Sequence, residues 1–146
     1  MFDHFGWELL WLVVAYSVVT LVGLIHVVIL NKVFGVPGYK EEGVTFMKSP
    51  AYVKTKPYQP IYNIILFPLF IWICLQGFGT TNTVHALYQI AITWTIVSMI
   101  IDFIGWIVIP HPFRFTLKEF YVDYQPWISL IYISIFVSHY IVRFFI

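Results

Sequence analysis

Asp102 is the residue whose type and position in this sequence most directly indicate chemistry. It lies well inside an apolar run, 84–109, that is long enough to cross a bilayer. Steps of three and four residues along this run meet Thr95, Ser98 and Gly105, so small and polar side chains share one helical face with the carboxylate. An ionised carboxylate inside a membrane costs about 2.5–3.5 kcal/mol on insertion scales. The rest of the chain must therefore supply groups that offset this cost.

Two further polar side chains are predicted at a similar depth. His26 lies near the end of the first apolar run, and Asn63 lies near the start of the second. A carboxylate beside an imidazole can fix its tautomer and raise its pKa, as general acid–base catalysis requires. Asp102 and His26 are therefore candidate catalytic residues and candidate anchors for a ligand. The alternative is a helix-packing network in which Ser98, Asn63 or a tyrosine hydroxyl satisfies Asp102.

A pocket around Asp102 would have aromatic walls. The expected wall residues are Trp94, Phe103, Trp106, Tyr124 and Trp127. Apolar pockets with a few polar contacts typically bind small hydrophobic molecules. The expected ligand-binding residues are Asp102, His26, Asn63, Ser98, Trp106 and Tyr124.

Three other side chains, Glu8, His85 and His139, have the chemistry of transition-metal ligands. They are weak candidates, because no compact ligand motif such as HExxH or CxxC is present. We therefore expect no metal and no other cofactor. The simpler interpretation of Glu8 is an ion pair with Arg143 between the first and last apolar runs.

The composition indicates the class of protein. The chain has 146 residues, of which 60% are hydrophobic and 10% charged, and its mean hydropathy is +0.84. Soluble domains carry about 25% charged residues. The sequence therefore predicts an integral membrane protein. A net charge of +1 gives no reason to expect nucleic acid as a partner, and the single cysteine, Cys74, excludes an intramolecular disulfide.

Four apolar runs predict the fold. They lie at about 5–30, 61–78, 84–109 and 127–142. Pro68 falls inside the second run, where it is expected to kink the helix. The short connection 79–83 predicts that the second and third runs form an antiparallel hairpin. The predicted fold is an all-α integral membrane protein, a single domain over residues 1–146 that forms a four-transmembrane-helix bundle.

Two long connections separate these runs. The first, 32–59, carries five lysines interleaved with aromatic and apolar residues, and it is expected to lie on lipid headgroups. The middle of the second, 114–124, is amphipathic and aromatic-rich, which predicts an interfacial helix or a re-entrant segment. The two connections hold seven of the eight lysines and arginines, and Arg143 is the eighth. The positive-inside rule therefore predicts a multi-pass protein of the cell membrane, with both connections cytoplasmic and both termini on the non-cytoplasmic side.

Three functions are compatible with this layout. The leading expectation is that the protein binds, and transports or senses, a membrane lipid or another hydrophobic small molecule in the cytoplasmic half of the bundle around Asp102. The second is a membrane-embedded lipid-modifying enzyme that uses Asp102 and His26 as an acid–base pair. The third is a structural or accessory subunit with a heteromeric membrane partner. A proton-coupled path along the first run is not supported, because its face between Glu8 and His26 is wholly apolar. A transport role would need a homodimer to enclose a pathway.

Overall fold

The computed structural model describes residues 4–77 and 83–145 of the chain. In these ranges the chain is helical and contains no strand, as the sequence predicts. Two 3₁₀ turns lie at Phe46–Lys48 and Lys56–Tyr58, and a π-helical turn, Phe103–Val108, extends the fifth helix. The α-helices, numbered in chain order, are α1 (Phe5–Lys32), α2 (Tyr39–Glu42), α3 (Pro50–Thr55), α4 (Gln59–Gln76), α5 (Thr83–Asp102), α6 (Leu117–Tyr121) and α7 (Trp127–Arg143).

Three helical stretches are long and apolar enough to cross a membrane. They are Phe5–Lys32, Pro50–Gln76 and Val84–Val108, with mean hydropathies of 2.5, 1.6 and 1.9. Helix α7 is apolar but has only 17 residues, which span about 25 Å against about 30 Å for the hydrocarbon core of a bilayer. Helices α1, α4, α5 and α7 begin within about two residues of the predicted runs. Helices α1 and α7, and the π turn that extends α5, also end within about two residues of them. The predicted end of the second run at residue 78 lies outside the described residues.

Large apolar side chains cover the outside of these helices. Leu21, Val28, Ile65, Ile92 and Ile133 are each more than half exposed. Helices that are apolar on their outer as well as their inner faces suit a lipid surrounding better than water. The surface therefore agrees with membrane localisation.

Helix α7 lies between α4 and α5. It packs extensively against both, whereas α4 and α5, which follow each other in the sequence, share a smaller contact. Helix α1 packs against α3 and α4 and touches α5. The core between the helices contains Leu12, Phe67, Ile71, Ile90 and Ile135, which are almost completely buried. Helix α7 therefore lies between the two helices of the hairpin predicted for the second and third runs.

The two long connections pack on each other over one end of the bundle. In the first, Ser49 caps α3 by accepting a hydrogen bond from the Tyr52 backbone N–H at 3.3 Å. In the second, Thr116 and Glu119 form a reciprocal cap at the start of α6. The backbone N–H of Thr116 donates to the Glu119 carboxylate and so lowers its pKa. Lys48 and Glu119 lie 3.6 Å apart and join the two connections.

The amphipathic segment 114–124 turns its aromatic side chains toward the bundle. The segment contains α6. Its Phe115, Phe120 and Tyr124 side chains are buried, with only 3%, 3% and 2% of their surface exposed. The apolar face predicted to lie on lipid is therefore largely used for packing within the protein.

The π-helical turn after Asp102 anchors this second connection. The N–H of Ile109 donates to the Ile104 carbonyl at 2.9 Å, which is the wide spacing of a π turn. The Gly105 carbonyl accepts from the His111 ring at 2.8 Å, and the Trp106 carbonyl accepts from the Phe115 N–H at 2.7 Å. The chain is therefore drawn back against the bundle as soon as α5 ends.

Trp7 closes the opposite end of the bundle against α4. Its indole N–H donates to the Cys74 carbonyl at 2.9 Å. A Cβ atom on residue 77 would lie 2.8 Å from the Trp7 Cε2 atom, closer than real side chains pack. Gly77 therefore permits the close approach of α1 to the end of α4.

We predict that Gly77→Ala lowers the free energy of unfolding by about 1–3 kcal/mol, because Trp7 must move and lose its hydrogen bond to Cys74. Thermal unfolding in a mild detergent, followed by tryptophan fluorescence, measures the change. Gly6→Ala is the matched control, since a Cβ there meets no atom within 4 Å, and it should change stability by less than about 0.5 kcal/mol. Equal stability of the two variants would contradict the close approach.

Candidate functional site

A cavity lies between α1, α4, α5 and α7, under the two long connections. It contains about 780 Å³ of space that protein atoms do not fill, part of it open to the outside. Apolar side chains such as Val19 of α1, Phe67 of α4 and Ile131 of α7 form its walls. Its roof is aromatic and comes from the connections, through Phe46, Tyr52, Phe115, Phe120 and Tyr124.

Asp102 lies in the wall of this cavity and is 7% exposed. Its Oδ1 atom accepts a hydrogen bond from the Tyr16 hydroxyl, and its Oδ2 atom accepts one from the Tyr132 hydroxyl at 2.8 Å. The Tyr16 oxygen accepts in turn from the Trp106 indole N–H at 2.8 Å. Helices α1, α5 and α7 therefore meet at one carboxylate, and neutral donors offset part of the cost of burying it. Of the partners considered for Asp102, the tyrosine hydroxyls are the ones observed.

Tyr124 and Tyr52 supply the polar part of the roof. Their hydroxyls lie 2.9 Å apart, and Tyr124 donates to the Gln59 Oε1 atom at 2.6 Å. The Lys56 ammonium lies 4.6 Å from the centroid of the Tyr124 ring, at cation–π distance. Burial raises the pKa of the Tyr124 phenol, so it remains a neutral donor at physiological pH. Tyr124, a predicted ligand contact, thus lines the cavity and also ties the second connection to the first and to α4.

His26 does not contact Asp102. Its Nδ1 atom shares a hydrogen bond with the Tyr62 hydroxyl, and its ring packs edge-on against Tyr58 with centroids 5.1 Å apart. Tyr62 lines the cavity, whereas His26 lies behind it. Asp102 and His26, the acid–base pair expected from the sequence, therefore contact different tyrosines in the structure.

Asn63 is a predicted ligand contact with an unused hydrogen-bonding group. It lies in the cavity wall on α4 and is only 2% exposed. Its side-chain amide makes no hydrogen bond to any residue that the structure describes. Buried amides in proteins are normally paired. This amide is therefore free to bind a molecule inside the cavity.

The remaining predicted pocket residues divide between the cavity and other places. Trp106 lines the cavity. Ser98 is fully buried outside it, and its hydroxyl has no hydrogen-bond partner among the described residues. Trp94 is fully buried in the helix core, and Trp127 is not part of the lining. Phe103 is 42% exposed, because a helical residue next to Asp102 must point away from the face that Asp102 shares with the cavity.

The weak metal candidates do not converge. Within residues 4–77 and 83–145, no three His, Cys, Asp or Glu side chains lie together in the manner of a metal site, so Glu8, His85 and His139 form no such cluster. Glu8 is fully buried and accepts a hydrogen bond from the Gln89 amide at 2.7 Å, which replaces the ion pair expected with Arg143.

Tyr16 and Tyr132 are site residues whose role sequence reasoning did not identify. Tyrosines are common in this sequence, and the spacing within their own runs does not indicate which polar residue of another run they meet. A search for hydroxyl donors inside the other spans would have found them, because a carboxylate buried in a membrane needs donors from neighbouring helices.

Comparisons of the chain with protein-family models, with curated proteins and with solved structures found no match. The function is therefore argued from the site itself.

We predict that Tyr132→Phe lowers the free energy of unfolding by about 1.5–3 kcal/mol, because a hydrogen bond to a charged group is lost. Tyr16→Phe should cost at least as much, since it also leaves the Trp106 indole without its acceptor. Tyr140→Phe is the matched control in α7, because the Tyr140 hydroxyl makes no hydrogen bond to a described residue. Thermal unfolding in detergent compares the three, and a Tyr132→Phe variant as stable as the control would contradict the network.

Proposed function

We propose that the protein binds a small hydrophobic or amphipathic, lipid-like molecule in the cavity beside Asp102, for transport or sensing. The cavity is the observation that carries this proposal. It adjoins Asp102 and is lined by residues of four helices and of both long connections. Its apolar and aromatic walls, interrupted by a few polar groups, have the composition of sites that bind such molecules.

The unused amide of Asn63 supports the same proposal. This amide makes no hydrogen bond to a described residue and lines the cavity, so it can bind a polar group of the ligand. Asp102 offers a second polar contact on a different helix, so the two residues would orient an amphipathic molecule within the cavity.

The two alternative functions have less support. Acid–base catalysis needs its groups within reach of the same reacting atoms, whereas Asp102 and His26 contact different tyrosines. Conversion of the bound lipid by the purified protein would favour the enzyme. Copurification of a stable heteromeric partner would favour an accessory subunit.

We also propose that α7 crosses the membrane as a fourth span, with both long connections cytoplasmic and both termini on the other side. Its contacts with α4 and α5 along the bundle support this placement. Its 17 residues fall short of the usual length by only a few residues, which local thinning of the bilayer can accommodate. The proposed binding site then lies in the cytoplasmic half of the bundle, where the seven basic residues of the connections also lie.

This topology predicts the labelling of two single-cysteine variants made in a Cys74→Ala background. Phe144→Cys, at a position 88% exposed near the C-terminus, should react with a membrane-impermeant maleimide on intact cells. Lys54→Cys, at an exposed position of the first connection, should react only after permeabilisation. The reverse pattern, or labelling of both on intact cells, would contradict the topology.

Ligand binding predicts that the protein purified in a mild detergent carries a small molecule visible by native mass spectrometry. Gly23→Phe should abolish binding of this molecule, because Gly23 lines the cavity and a Cβ atom there would meet no other atom within 4 Å. The new ring can therefore occupy the space of the ligand. Gly6→Phe is the matched control on the same helix, again at an uncrowded position but outside the lining. Retention of the bound molecule in a folded Gly23→Phe variant would show that it binds elsewhere.

A further inference from the structure

We propose that the molecule bound in this cavity carries a protonated amine as its polar head, with Asp102 as its counter-ion. This inference rests on the proposed function and adds the chemical class of the ligand. The shared chemistry is an ammonium group on an apolar body, whether it comes from a single-chain amine or from the headgroup of an amino-phospholipid.

Asp102 has no counter-ion among the described residues, since no Lys, Arg or His nitrogen of residues 4–77 and 83–145 lies within 4.0 Å of its carboxylate. The ion pairs Lys48–Glu119 and Lys118–Asp123 lie at the surface of the connections. The neighbours of Asp102 are the neutral hydroxyls of Tyr16 and Tyr132. They stabilise the carboxylate but leave its net charge in place.

The Asp102 carboxylate can accept further hydrogen bonds. An ionised aspartate can accept about four hydrogen bonds, and the two tyrosines donate one to each oxygen of Asp102. Asp102 lines the cavity and keeps 7% of its surface exposed. An N–H donor inside the cavity can therefore reach it without displacing either tyrosine.

The residues that line the cavity also suit a cation. Nine of its nineteen residues are aromatic, which offers a cation the faces of several rings. Of the described residues that line the cavity, Asp102 alone carries a formal charge. An anionic head would be repelled by Asp102, and a neutral hydroxyl would leave the buried charge uncompensated. An ammonium group satisfies both the carboxylate and the rings.

The test compares two polar head groups, an amine and a hydroxyl, on the same apolar chain. The protein in dodecylmaltoside at pH 7 is titrated with dodecylamine, and separately with dodecanol, and binding is read by native mass spectrometry. We expect dodecylamine to bind about tenfold more tightly, or better, than dodecanol. This comparison uses the unmodified protein, so it does not depend on the folding of any variant.

Two variants test whether Asp102 causes the preference for the amine over the alcohol. Asp102→Asn should bind the two compounds equally, whereas Glu8→Gln should keep the preference for the amine. Glu8 is the matched control because it is also a buried carboxylate but does not line the cavity. A folded Asp102→Asn variant that retains the preference would overturn the role of Asp102.

The other outcomes separate the two proposals. Equal binding of dodecylamine and dodecanol by the unmodified protein would overturn the amine head while leaving the hydrophobic site intact. Binding of neither compound would overturn both. Where the amine is preferred, displacement by phosphatidylethanolamine supports an amino-phospholipid as its source, and resistance to displacement supports a single-chain amine.

Discussion

The buried carboxylate of Asp102 is the constraint on which the centre of the structure depends. It belongs to α5, yet its two oxygens are held by Tyr16 of α1 and Tyr132 of α7. The three helices are thereby held together at one point, because separating them would remove the hydrogen-bond donors from the buried Asp102 carboxylate. The Trp106 indole, donating to Tyr16, extends this network to the π turn that follows α5. The geometry of the cavity wall follows from this set of hydrogen bonds.

The roof depends on a different interaction, the packing of the two long connections on one another. Tyr52 and Tyr124 stack with centroids 6.3 Å apart and share a hydrogen bond. Phe46 packs against Phe113 with centroids 5.0 Å apart, and Lys48 pairs with Glu119 at the rim. The two connections therefore form one cover. The apolar surroundings beneath it strengthen electrostatic interactions, including any contact of Asp102 with a charged ligand.

A comparison of the two carboxylates in the bundle shows why the cavity, and not burial alone, marks the site. Glu8 is as deeply buried as any residue, and one of its oxygens has no hydrogen-bond partner among the described residues. It accepts from Gln89 across the contact of α1 with α5, and it does not line the cavity. Asp102 differs because empty, aromatic-lined volume adjoins it. The chemistry of both groups is alike, and only their surroundings separate a packing contact from a candidate binding group.

The sequence by itself determined the helical, membrane-compatible class of the protein, the approximate helix bounds and the position of Asp102 inside an apolar helix. Apolar runs of that length and a lone acidic residue within one of them are local features, and local features can be read from the chain. It also placed Asn63, Trp106 and Tyr124 in what proved to be the cavity lining. Only the tertiary structure decided that Tyr16 and Tyr132, and not His26, bind Asp102, and that α7 lies between α4 and α5. Both depend on how distant helices rotate and pack against each other, and helical periodicity within one segment carries no information about which face of another segment it will meet.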